Sequence, residues 1–271
     1  MANKNSSLGD RMKQYEYVTR NYLPRRIPVI IRLDGKAFHT FTRGLEKPFD
    51  SVMMRSMRKT MQYLCQNIQG CVLGYTQSDE ISLVLTDYAT VKTDAWFGYN
   101  IQKMCSVSAA MATLAFNEAF ENYFCEEWDN GMDSFNERHN TMLLKLHTAM
   151  FDSRVFSVPK DEVCNCMIWR QQDATRNSIE AVGQANFSTS ELHRKTCDQI
   201  QEMLWSKKGI NWNDYPTDCK RGACCVKILK ETEMKDPRDS SKTIAVQRRV
   251  WEVDRDIPIF TQDRSYIEKL L

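Results

Sequence analysis

Apolar and polar positions alternate between two periods along the chain. Ile27 to Leu33 is a short β-branched, apolar run, which predicts a strand buried on both faces that stops at Asp34-Gly35. Before it, Leu8 to Tyr22 reads as a helix with Asp10 as a candidate N-cap, ended by Pro24. From Phe49 to Ile68, Met53, Met57, Met61 and Leu64 recur at helical spacing, with Asp50 as cap and Gly70 as stop. The methionine stripe is core packing. Cys71–Tyr75 and Ile81–Leu85 predict a hairpin with Gln77-Ser78-Asp79 at its turn. Asp94–Phe124 predicts a long helix broken near Gly98. Ser134–His147 gives a weaker helical signal, and Arg154–Val158 a strand ended by Pro159. Helices follow over Asp161–Phe187 and Ser190–Trp205, the latter capped by Ser190 or Thr189. Cys224–Leu229 and Ile244–Val253 then form an antiparallel pair around a loop at Lys235–Asp239. The order predicts an α+β fold, a split βαβ or palm-like antiparallel sheet backed by two helices on one face. A palm-like catalytic domain at 1–158 and a helical and hairpin region at 159–271 is the expected division, with one compact unit as the alternative.

Composition narrows the setting. Of 271 residues, 42% are hydrophobic and 27% charged, the balance of a globular protein. No apolar run reaches the roughly 20 residues a membrane helix needs, and the N-terminus lacks a secretory apolar segment. Ten cysteines without such a signal suggest reduced thiols in the cytoplasm. Cys164 and Cys166, with Cys219, Cys224 and Cys225, do not show paired zinc-site spacing and read as free thiols. A net charge of +2 gives little steering toward nucleic acid. A basic patch would have to come from Arg25-Arg26, Lys207-Lys208, Lys220-Arg221 or Arg248-Arg249.

Candidate chemistry centres on two carboxylates. Asp34 closes a strand and Asp79 sits at a hairpin tip, so both meet if those strands are neighbours. Mg2+ is commonly held by one or two carboxylates plus substrate phosphates, and two ions about 4 Å apart suit nucleotidyl transfer. Gly35 lets backbone approach phosphates. The amides through Phe38 and His39 suit an anion nest, and Lys36, Lys47 and Lys103 are cations within reach of a triphosphate. Taken alone, Asp-Gly after a strand and Ser-Asp-Glu in a turn are also ordinary turn chemistry.

Several ordered segments carry more weight together. They are Arg32-Leu33-Asp34-Gly35-Lys36-Ala37-Phe38-His39-Thr40-Phe41, Glu46-Lys47-Pro48-Phe49-Asp50, Tyr75-Thr76-Gln77-Ser78-Asp79-Glu80-Ile81-Ser82, Phe151-Asp152-Ser153-Arg154-Val155, Trp169-Arg170-Gln171-Gln172-Asp173 and Lys220-Arg221-Gly222. In these the chain resembles the tRNA-histidine guanylyltransferase family, and more closely its bacterial tRNA-repair branch. The resemblance implies a palm-like 3′-5′ polymerase that adds nucleotides to the 5′ end of tRNA, at the acceptor stem. The 5′-phosphate is first activated with ATP, and the 3′-hydroxyl of an incoming nucleoside triphosphate, such as GTP, then attacks it. By position, Asp34, Asp79 and the Gly35 carbonyl would hold two Mg2+ ions, with Glu80 as a supporting carboxylate. The backbone of Lys36, Ala37, Phe38 and His39, with Ser78, Lys47 and Lys103, would hold triphosphate. The resemblance also implies a homotetramer.

One departure separates the branches. Eukaryotic members carry His-Ile-Asn-Asn after the aspartate that matches Asp173, and this chain has Thr175-Arg176-Asn177-Ser178. Only Asn177 is kept, and it is counted among the nucleotide-binding residues. The change favours templated repair of 5′-truncated tRNA over untemplated guanosine addition to tRNA-His. A palm-like nucleotide cyclase is a further alternative. A non-enzymatic RNA-binding sheet is disfavoured, since Ile27–Leu33 offers no aromatic side chain for stacking.

Overall fold

The computed structural model describes residues 7–129, 137–236 and 239–271. Among them, six strands form one antiparallel sheet in the order β4-β1-β3-β2-β5-β6. The first four are β1 (Val29–Gly35), β2 (Cys71–Gln77), β3 (Glu80–Leu85) and β4 (Phe151–Ser157). Their order is that of a βαββαβ unit, the palm-like core that the pattern predicts. The remaining two, β5 (Ala223–Asp236) and β6 (Asp239–Asp254), extend it through Gly74–Thr76 of β2 pairing with Ala223–Cys225 of β5. Segments on both sides of Pro159 therefore share one sheet.

Ten α-helices are described. The N-terminal one, α1 (Ser7–Val18), ends sooner than the expected Tyr22, and Asp10 lies in its first turn instead of capping it. The four-residue α2 (Phe38–Phe41) follows β1. Then comes α3 (Ser51–Asn67), whose cap is the expected one: Asp50 Oδ1 accepts the Met53 N–H at 3.0 Å. Its stripe of Met53, Met57, Met61 and Leu64 is buried against the sheet. The approach is close at Gly74, where a Cβ would stand 2.4 Å from Cys65 Sγ. A break at Phe97 and Gly98, both with positive φ, precedes α4 (Ile101–Asp129). Helix α5 (Glu137–Leu143) falls inside the weak Ser134–His147 signal, whose residues 134–136 lie outside the described chain.

Helices α3 and α4 back one face of the sheet, as expected. The other face is covered too. There α6 (Lys160–Asn186) lays Val163, Cys164 and Met167 over Ile30, Leu73, Tyr75 and Val84. The single helix expected over Ser190–Trp205 is two: α7 (Thr189–Leu192), capped by Ser188, and α8 (Cys197–Lys208), capped by Thr196. Each has its own capping box, and the Thr196 box lies inside the apolar period, where it starts a new helix. With Ile179, Val182, Phe187 and Trp212, α8 forms a second small core. Short α9 (Thr217–Arg221) and α10 (Ser265–Glu268) complete the set.

The late hairpin is longer than expected. Its strands reach Asp236 and begin at Asp239, so most of the expected Lys235–Asp239 loop is strand, and residues 237–238 lie outside the described chain. Beyond Cys225, β5 pairs only with β6. Lys-Glu-Thr-Glu-Met-Lys-Asp has no alternation of apolar and polar residues, so it carries no strand signal.

Candidate nucleotide-binding and catalytic site

Strand register builds the site. Asp34 on β1 stands opposite Glu80 on β3 and opposite Asp152 on β4. Directly opposed residues share a face, so Glu80, Asp34 and Asp152 form an acidic row. Two residues back, Ser82, Arg32 and Arg154 form the next row on that face. Arg154 Nη2 lies 3.4 Å from Asp152 Oδ1 and 3.8 Å from Asp34 Oδ2. The rows thus partly neutralise each other.

Asp79 joins from the hairpin tip. Ser78 takes a left-handed φ of 48°, which turns the chain there. The Gly35 N–H donates to the Asp79 carbonyl at 3.1 Å and locks the tip to the end of β1. Burial, and next the charge of Asp34, push the Asp79 carboxyl above its ordinary pKa. Hydrogen bonds from backbone and Ser78, and the nearby His39, only partly offset this. Asp34 and Asp79, close enough to influence each other's charge and tied through Gly35, bring carboxylate oxygens to the end of β1, the ligand type that fits Mg2+.

Glu80 is differently engaged. Its Oε2 accepts from Arg170 Nη1 at 2.9 Å and lies 3.8 Å from Arg32 Nε. Arg170 is 5% exposed and also reaches Asp173 at 3.3 Å. Burial still raises the Glu80 carboxyl above its usual range, against the pull of both arginines.

The loop after β1 is anchored by rings. The Lys36 N–H donates to Met150 O at 2.9 Å, and Ala37 is left-handed at φ 54°. Phe38 stacks on Phe41 at 4.9 Å and meets Phe116 and Phe151 at 5.5 and 5.2 Å. Ala37, Phe38 and His39 precede Thr40, the first residue to donate back within the turn, so their amides belong to the open end of that turn. Lys36 and His39 project as exposed residues. The Phe38 ring lies over Gly35, where a Cβ would fall 2.3 Å away. Gly35→Ala is therefore expected to cost about 1–3 kcal/mol by overpacking and to displace the turn. Thermal melts should show the loss, and Gly35→Ala/Phe38→Leu should recover part of it.

Beside the hairpin tip lies a cavity of about 330 Å³. Lys47, Ser78 and Asn177, three expected site residues, line it. So do Leu45, Met53 and Met54 on one side and Ala174 and Ala181 of α6 on another. Asp218 and Gly222 close the floor. Gly222 has φ 82°, and a Cβ there would stand 2.4 Å from Thr76 O, so the floor excludes larger residues. A cavity that mixes apolar side chains with Lys47, Gln77, Ser78 and Asn177 suits a nucleobase.

Lys103 does not join these residues. It opens α4, ten residues before Thr113, whose hydroxyl accepts the Phe151 N–H at the level of Asp34. At 1.5 Å per residue this sets it about 15 Å along the helix from that level. Strand register gives Asp152 and Arg154 their places, and the packing of α6 on the sheet brings Arg170, paired with Asp173, to Glu80. One expected basic pair and Lys220 of another are engaged within the chain. Arg25 Nε reaches buried Asp87 at 2.6 Å and the Arg26 backbone and guanidinium bind the same segment. Lys220 Nζ donates to Asn213 O at 2.6 Å. Lys207, Lys208 and Arg249 are exposed.

Known proteins share this fold. The sequence model of the tRNAHis guanylyltransferase family matches residues 9–159. A solved bacterial tRNA(His) guanylyltransferase-like protein in complex with ATP superposes with a TM-score of 0.79 at 42% identity, over 97% of this chain and 98% of that one. The same kind of protein in complex with GTP gives 0.75 at 41%, over 98% and 99%. The tRNA(His) guanylyltransferase of Schizosaccharomyces pombe is 28% identical over 96% of this chain and 97% of its own length. The chain therefore belongs to the tRNA(His) guanylyltransferase family, and is a nucleotidyltransferase of that kind.

Proposed function

We propose that this chain is a Mg2+-dependent 3′-5′ nucleotidyltransferase that repairs 5′-truncated tRNA by templated addition. The observation that supports the reading is the hydrogen bond from Gly35 N–H to Asp79 O, which ties the hairpin tip carrying Asp79 and the cavity-lining Ser78 to the end of β1, where Asp34 lies. Among the described residues no three His, Cys, Asp or Glu side chains converge as a ligand set. Asp34, Asp79 and the Gly35 carbonyl would thus share two ions with substrate phosphates, as Mg2+ sites commonly do. When bound, the ions would activate the attacking hydroxyl and neutralise charge on the leaving group.

The chain's own residues supply orientation. The base of the activating ATP enters the cavity past Lys47 and Asn177, which leaves the base of the incoming nucleotide free to pair with the template. Ser78, Lys47 and the amides at Ala37, Phe38 and His39 hold the triphosphate, with Lys36 at the rim. Lys103 would contribute only to a phosphate reaching the far end of α4. Glu80 acts as a positioning residue: through Arg170 and Asp173 it fixes α6 against the carboxylate row. In the second step the nucleotide 3′-hydroxyl attacks the activated 5′-phosphate, the new P–O bond forms and the activating AMP leaves.

Templated repair is favoured over fixed guanosine addition by Thr175-Arg176-Asn177-Ser178. Of these, Arg176 is turned onto Asp173 and not into the cavity, while Asn177 lines it. Exposed apolar residues Leu8, Met12 and Tyr15, one turn apart on α1, support self-association into the expected homotetramer. Ten free cysteines support work in the cytoplasm. Among the described residues no helix is long and apolar enough to cross a membrane.

The test is extension of an acceptor stem lacking its first 5′ nucleotide, with labelled nucleoside triphosphates and Mg2+. Lengthened RNA that disappears on adding EDTA is expected. Cyclic nucleotide made without RNA would instead identify a cyclase.

A further inference from the structure

Trp169 is 51% exposed, yet it is firmly mounted. The Arg170 guanidinium lies 3.5 Å from its ring centroid. That guanidinium is itself fixed by Glu80 and Asp173. A second cation, Arg32, stands 5.8 Å from the same ring. Arg32 is two residues before Asp34 and on the same face of β1. An indole braced by a buried guanidinium and left open to solvent is a rigid, preorganised stacking surface.

Its position relative to the cavity gives it a role. Ala174, Asn177 and Ala181 of α6 line the cavity, and from Trp169 to Asn177 the helix rises about 12 Å. Glu80, held by Arg170, lies between, opposite Asp34. The cavity and the exposed indole therefore lie at separate points along α6, with the Arg170–Glu80 pair next to the indole. The reaction joins two nucleotides, and the chamber accommodates one base.

We infer that Trp169 stacks the 5′-terminal base of the RNA substrate. This rests on the reading that RNA is the substrate. Stacking accepts any base, because every base has a π-face, and this suits a site whose added base is dictated by a template. Arg154, 55% exposed at its side chain and 3.8 Å from Asp34, stands ready for the phosphate that follows.

The test uses an acceptor-stem hairpin with 2-aminopurine as its 5′-terminal base, and the variants Trp169→Leu and Trp169→Phe. Trp169 is half in solvent, so both should fold, and a thermal melt checks this. Wild type is expected to quench the probe on binding. Trp169→Leu should lose the quench and raise KM for the hairpin about 10-fold, in line with measured base–aromatic stacking. Its KM for the nucleoside triphosphate should stay within about twofold, and Trp169→Phe should retain most of the wild-type behaviour. Unchanged quenching and KM in Trp169→Leu would overturn the inference, as would a shift in the triphosphate KM instead. If wild type quenches but never extends the hairpin, stacking stands and the polymerase reading falls. If wild type extends the hairpin without quenching, the reverse holds.

Discussion

Asp34→Ala and Asp79→Ala are each expected to lower 5′ extension by at least about 1000-fold, on the scale of losing transition-state charge stabilisation, while the chain still folds. Asp34 leaves about a third of its side chain in solvent and supports no core packing. The stability effect at Asp79 carries a sign. Its carboxyl is raised by burial and by Asp34, so the folded chain binds that proton more tightly than the unfolded chain does. Such a group favours folding below its unfolded pKa, and the benefit is lost as pH rises through the folded value. Above the folded value, without metal, the ionised carboxylate opposes folding. Asp79→Asn should therefore keep or raise Tm in EDTA while abolishing extension. A large fall in Tm would show that Asp79 serves the fold and not the chemistry.

Asp218→Ala should be the most destabilising of the polar substitutions, by about 3–5 kcal/mol. One carboxylate oxygen, Oδ2, accepts from Arg58 Nη1 on α3 and from Arg255 Nε after β6, both at 2.7 Å. The Asp218 side chain is 2% exposed and that of Arg58 15%, whereas Arg255 is 60% exposed. The effect therefore comes mainly from Arg58, whose guanidinium pKa is already lowered by burial and which would lose its counter-ion. Arg255 adds little, since it is mostly in water. Urea denaturation should show a lower midpoint with an unchanged slope. The double variant Arg58→Met/Asp218→Leu should recover most of the loss, because it removes both buried charges together. Since Asp218 also closes the cavity floor, nucleotide binding should weaken in the single variant.

How much of this was legible depended on the physics behind each signal. Asp50 caps α3 and the methionine stripe packs as read, because both are local effects of helical spacing. The β1 strand ends in Asp34-Gly35 as read, because β-branched burial and the Asp-Gly step are local as well. The acidic row of Glu80, Asp34 and Asp152 was not legible, because it exists only in cross-strand register over some 120 residues of chain. Arg170 reads as an ordinary helix residue until β3 is placed beneath it. Arg25 and Arg26 look like a basic patch until Asp87, more than 60 residues away, is seen to take both. The ribbon of β5 and β6 is longer than its sequence signal because Lys230 to Asp236 shows no apolar alternation. Lys103 reads as a cation within reach of a triphosphate, and its place at the start of α4 sets it about 15 Å along that helix from the level of Asp34.

The central claim is that the opposite strand of the RNA, not the protein, chooses the added base. It is tested by repeating the extension on four acceptor stems that differ only in the base facing the missing 5′ position. With all four nucleoside triphosphates present, the added nucleotide should change with each stem to its Watson–Crick partner. Addition of guanosine to every stem, whatever the template, would contradict the account.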